Sequence, residues 1–148
     1  MNDFMLKLPE FVGHHLPLVA LFGLLLLAVV ATQLAPLFRK YKELTPAALT
    51  LLINRESPLL IDLSAYADFE KAHVPGAKHV AMSQFDPEQK DLAKARDMPV
   101  VVIDKDGRGN STKAALRLVK AGFGKVHTLG GGVLAWQAAQ LPVAKGNK

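Results

Sequence analysis

The sequence contains no cysteine. That excludes a disulfide framework and a cysteine-ligated metal site, and equally a thiol nucleophile, a persulfide or a thiol redox switch. Aromatic residues are scarce, at 7% with a single tryptophan, and the net charge of +5 is modest. Beyond Glu43 basic residues alternate with acidic ones instead of forming a stripe, so the clustered basic face of a nucleic-acid binder is missing and no nucleic-acid partner is expected. Asp104 and Asp106 lack the spacing of an EF-hand loop. No metal and no cofactor is expected.

Apolar residues make up 50% of the chain, and the excess is concentrated near the start. Leu16 to Phe38 carries no ionisable side chain. At ~1.5 Å per residue such a helix is about 35 Å long, enough to cross a hydrocarbon core of about 30 Å. Pro17 is tolerated in a first turn, and Pro36 marks the expected exit from the membrane. A cleaved signal peptide would have a basic leader and a shorter apolar run; here Lys7 is offset by Asp3 and Glu10. The expected organisation is a short tail over 1–15, a transmembrane helix over 16–38 and a basic juxtamembrane link over 39–44. A globular domain over 45–143 and a tail over 144–148 follow, with Lys145 to Lys148 expected to be frayed.

Arg39, Lys40 and Lys42 follow the apolar run, against Lys7 before it. The positive-inside rule then puts the N-terminus outside and the C-terminal domain in the cytoplasm, and the same residues can meet anionic lipid headgroups. Ala28 with Thr32 and Ala31 with Ala35 would permit close approach of a second helix, although pairs at that spacing also arise by chance; a homo-oligomer is left open.

The remainder alternates strands and helices, which predicts a parallel sheet with right-handed crossovers. Thr45-Pro46 opens a helix to about Arg55. Strands are expected over Leu59–Leu63, Lys78–Ala81, Val100–Asp104 and Lys125–Leu129. Ser64 would cap a helix from Ala65 to about Ala72, stopped by Pro75-Gly76, and Ser83 opens an ill-defined stretch. Ser111 would cap an amphipathic helix ending at Ala121, with Gly122 as its stop. A turn at Gly130–Gly132 leads to a last helix over Val133–Ala139.

Two stretches go beyond a generic α/β pattern. Leu60-Ile61-Asp62-Leu63 followed by Phe69-Glu70-Lys71-Ala72-His73-Val74-Pro75-Gly76-Ala77 resembles the first signature of rhodanese domains. Leu129-Gly130-Gly131-Gly132-Val133-Leu134-Ala135-Trp136 resembles the second, a Gly-Gly pair separated from a tryptophan by three residues. The resemblance covers about Glu43 to Val143, and with the apolar helix the layout is similar to small inner-membrane rhodanese-like proteins of proteobacteria. It implies a three-layer α/β domain with a central parallel sheet, preceded by one transmembrane helix. Asp62, His73, Pro75, Gly76, Gly131, Gly132 and Trp136 would be structural, with His73 at a helix end and Trp136 a core anchor.

In that family the central strand delivers a cysteine into a loop whose N–H groups and following helix stabilise the thiolate. Here Asp104 takes the nucleophile position, in a loop one residue longer than the commonest form, and Ser64 stands where active members often carry arginine. A carboxylate cannot accept sulfur, so a non-catalytic domain is expected, with Asp104 held by the same N–H groups. The loop Asp104, Lys105, Asp106, Gly107, Arg108, Gly109, Asn110 and Ser111 is the candidate binding surface, suited to an anionic group or a peptide. Ile103-Asp104-Lys105-Asp106 also resembles the Asp-x-Asp start of haloacid-dehalogenase phosphotransferases, but the later carboxylates that chemistry needs are absent.

Three roles remain open on sequence grounds. The chain can be a membrane-tethered binding or scaffold module for another membrane or membrane-associated protein, with insertion or secretion machinery suggested by location alone. It can be an accessory in sulfur trafficking that docks a separate persulfide carrier. Or it can act on membrane lipids, which Leu16 to Phe38 contacts in any case.

Overall fold

The computed structural model describes residues 9 and 11–146; Asp3, Lys7 and Glu10 of the expected tail, and Asn147 and Lys148, lie outside them. The chain divides into two compact units, Met1–Arg39 and Lys40–Lys148.

In the first unit α1 runs over Leu16–Leu34, with Pro17 in its first turn, and a 3-10 turn follows over Ala35–Phe38. Nineteen residues of α-helix span roughly 28 Å, and the 3-10 turn adds about 8 Å. No α1 residue is buried and no acidic or basic side chain lies in its end turns, so by length and composition it is able to cross a membrane. The Thr32 hydroxyl donates to the Val29 carbonyl at 2.7 Å, so it is satisfied within its own helix.

The second unit is an α/β domain built on five parallel strands in the order β1-β5-β4-β2-β3. These are β1 Lys42–Leu44, β2 Leu59–Asp62, β3 Lys78–His79, β4 Val100–Ile103 and β5 Val126–Leu129. The helices are α2 Pro46–Glu56, α3 Tyr66–Lys71, the single turn α4 Lys90–Ala93, α5 Asn110–Lys120 and α6 Gly132–Ala138. β4 is central, and all four of its residues are fully buried, which is why it reads as an unbroken apolar run. Side chains alternate across the sheet. Ile61, Val100, Val102 and Val126 face a core with Ala114, Ala115 and Leu118 of α5. Leu60, Val101, Ile103 and Leu129 face Leu49, Phe69, Val133 and Trp136.

Several expectations change. The link expected over 39–44 ends in a strand: Lys42–Leu44 pairs with His127–Leu129, and Tyr41 and Leu44 enter the two cores. In the tail, Ala144 exchanges two backbone hydrogen bonds with His73, and Gly146, within the stretch expected to be frayed, donates its N–H to the Glu70 carbonyl at 2.9 Å. β3 is limited to two residues, although the Val80 N–H still reaches the Asp62 carbonyl at 2.9 Å. Thr45 caps α2 as expected, accepting from the Ala48 N–H at 3.2 Å. Neither Ser64 nor Ser111 is a cap. α3 has Ala65 at its N-cap, and α5 begins at Asn110 after Gly109, which places Ser111 inside the first turn.

Candidate functional site

β4 ends at Ile103, and the next residue turns inward: Asp104 is 5% exposed. The following loop folds around its carboxylate. Oδ1 accepts the Gly107 N–H at 2.6 Å, and Oδ2 accepts those of Gly109 and Ser111, each at 3.1 Å. Hydrogen bonds to a charged acceptor are the strong ones, and the last of them comes from the first turn of α5, where the helix dipole also favours negative charge. The cap expected from Ser111 is thus supplied from seven residues upstream. Asp104 thus lies inward, held by N–H groups as expected, and does not belong to the exposed binding surface expected of the loop.

The rest of the loop is divided between bracing and solvent. The Asn110 side-chain amide donates to the Leu63 carbonyl at 3.2 Å, which ties the loop to the end of β2. The Asp106 carboxylate accepts the Arg108 N–H at 3.1 Å, with both side chains outside. Lys105 reaches across to Asp68 on α3, with Nζ 3.1 Å from Oδ1.

α6 clamps the loop from the other side. The N–H groups of Val133 and Leu134 donate to the carbonyls of Asp104 and Lys105, both at 3.0 Å. Contact this close requires glycine at 132. Its φ is +61°, and a Cβ there would lie 2.6 Å from the Lys105 carbonyl carbon and 2.7 Å from the Asp106 nitrogen. Gly107, at φ +76°, faces the same constraint from the Gly131 nitrogen. The glycine run therefore shapes the site loop, a role that its reading as a turn alone did not include.

The other motif residues support the same corner. The Ser64 N–H donates to Asp62 Oδ1 at 2.8 Å. Burial pushes the Asp62 carboxyl above its usual range, against the opposing pull of Ser64 and of His79 and His73. The His79 Nε2–H donates to the Ser64 carbonyl at 2.9 Å. His73 is fully buried, donates from Nδ1 to the Phe69 carbonyl at 2.8 Å and stacks on the Phe69 ring at 3.8 Å. Pro75 and Gly76 form the turn into β3. Trp136 is buried in the core and donates from Nε1 to the Pro142 carbonyl at 2.8 Å. Arg39 and Lys40 lie exposed just before β1, and Lys42 begins it. Among the described residues no group of three or more His, Asp or Glu side chains is placed to hold a metal ion.

A family model described as Rhodanese-like domain matches residues 45–139. The chain is 35% identical over 143 residues to the uncharacterized protein YibN of Escherichia coli (strain K12), covering 96% of this chain and 99% of that one. It is 28% identical over 99 residues to the thiosulfate sulfurtransferase GlpE of Pseudoalteromonas translucida (strain TAC 125), covering 67% and 91%. Among solved structures, a thiosulfate sulfurtransferase from Pseudomonas aeruginosa superposes with a TM-score of 0.61 at 28% identity over 74% of this chain. This chain spans 21% of that one's length.

Proposed function

Because the chain belongs to the rhodanese-like domain family, we propose that it is a non-catalytic binding module tethered to the inner membrane, with its domain in the cytoplasm. The observation that supports this most is the carboxylate of Asp104 inside the loop that, in a sulfurtransferase, would hold a thiolate. Three N–H groups converge on a group that cannot accept sulfur. The arrangement keeps the shape of the loop and removes its chemistry. α1 supplies the tether, and Arg39, Lys40 and Lys42 supply the positive-inside signal for the orientation. Confining the domain to the membrane raises its effective concentration for membrane-bound partners.

The second reading, an accessory that docks a separate persulfide carrier, draws on the sulfurtransferases among the relatives. Both readings are tested by affinity purification of the full-length protein from membranes in mild detergent, beside a Lys105→Ala/Arg108→Ala variant. The binding-module reading predicts a discrete co-purifying protein that the variant loses. A cysteine-bearing sulfurtransferase as that protein would select the second reading. No specific protein with either form would count against both and favour a lipid-directed role.

A further inference from the structure

Next to the filled loop is a cleft of about 290 Å³ between α3, the loop and α6. Asp68 and Lys71 of α3 form one wall, and Leu134 and Gln137 form the other, with Lys105 and Ser64 between them. Leu134 is fixed by its N–H bond to the Lys105 carbonyl, yet its side chain remains 50% exposed. The Lys105–Asp68 pair spans the cleft at 3.1 Å.

The chemistry of this lining selects a ligand class. An ammonium carries three donors, so Lys105 keeps two beyond the one aimed at Asp68. Lys71 has no ion-pair partner among the described residues. Two cations against one carboxylate leave a single positive charge to be met. A dianionic phosphate would call for a cradle of backbone N–H groups, and those of this loop are taken by Asp104. A carboxylate on a short aliphatic stem fits better, with its charge toward Lys71 and Lys105 and its stem on Leu134. We infer that this cleft docks the side-chain carboxylate of a glutamate or aspartate beside an apolar residue, on an exposed acidic segment of a partner protein. The inference rests on the binding-module reading and names what that module grips.

The test uses full-length protein in detergent micelles, followed by ¹H–¹⁵N NMR during titration with N-acetyl-Leu-Glu-amide. N-acetyl-Leu-Gln-amide and butyrate serve as the comparison ligands. The glutamate peptide should shift the signals of Lys71, Lys105 and Gln137 saturably. The glutamine peptide should bind about fivefold more weakly, the upper end for a part-exposed ion pair. Lys71→Gln should weaken the glutamate peptide by a similar factor while leaving the thermal transition, followed by Trp136 fluorescence, in place. Equal binding of the two peptides, shifts elsewhere on the domain, or butyrate binding as tightly as the peptide would overturn the inference. If a partner still co-purifies through Lys105 and Arg108 under any of those outcomes, the carboxylate assignment falls while the binding module stands.

Discussion

At the scale of single residues, Asp104 decides how the site is read. Three backbone N–H groups of the loop converge on its carboxylate, so the loop is held closed by the chain itself. Asp104→Asn keeps the shape but removes the charge and points an N–H₂ group at one of the three donors. Each hydrogen bond to a charged group is worth about 1.5–3 kcal/mol, so the substitution should cost about 2 kcal/mol or more. The single tryptophan, Trp136, lies in the domain core and reports its unfolding, so a thermal scan by fluorescence should show a loss of several degrees. A transition unchanged from the parent would mean that the three hydrogen bonds carry no net stability. The position of Asp104 was legible because it directly follows the strongest apolar strand, Val100 to Ile103, which lies between the two signatures. Its role as a remote cap of α5 was not. The bonds to Gly109 and Ser111 span five and seven residues, outside the local patterns that helix caps follow.

At the scale of elements, the parallel sheet and the start of α6 build the site together. Gly76 and Gly132 separate two effects that a motif combines. Gly76 has φ +85° with open space around it, whereas Gly132 combines φ +61° with backbone atoms where a Cβ would sit. Gly76→Ala should therefore cost about 1 kcal/mol, the price of the left-handed backbone. Gly132→Ala should cost about 2–4 kcal/mol, because the clash displaces α6 from the loop as well. Chemical denaturation of the two variants checks the order, and equal losses would contradict the clamp. Strands β2, β4 and β5 were readable because their apolar side chains enter two cores. β1 was read as a link because Lys42 and Glu43 are exposed and only Leu44 turns toward the core. Such a short edge strand is specified by pairing with β5 rather than by its own pattern.

At the scale of the whole molecule, an apolar helix is joined to a domain with its own two-sided core. All five strands run parallel, so the loop after β4 and the start of α6 lie at their C-terminal ends. The chain enters the domain at the opposite, N-terminal end of β1. The site therefore lies at the C-terminal end of the sheet. The helix was legible from its length and lack of charge.

On the reading proposed above, the loop after β4 keeps a sulfurtransferase-like anion site and fills it with Asp104. Thiosulfate sulfurtransferase activity of the full-length protein, measured beside its Asp104→Cys variant, tests this most directly. The parent, which has no sulfur nucleophile, should give background turnover, and the cysteine variant, whose thiolate would inherit the N–H donors, should turn over above background. A cysteine variant no more active than the parent would contradict that reading, as would turnover by the cysteine-free parent itself.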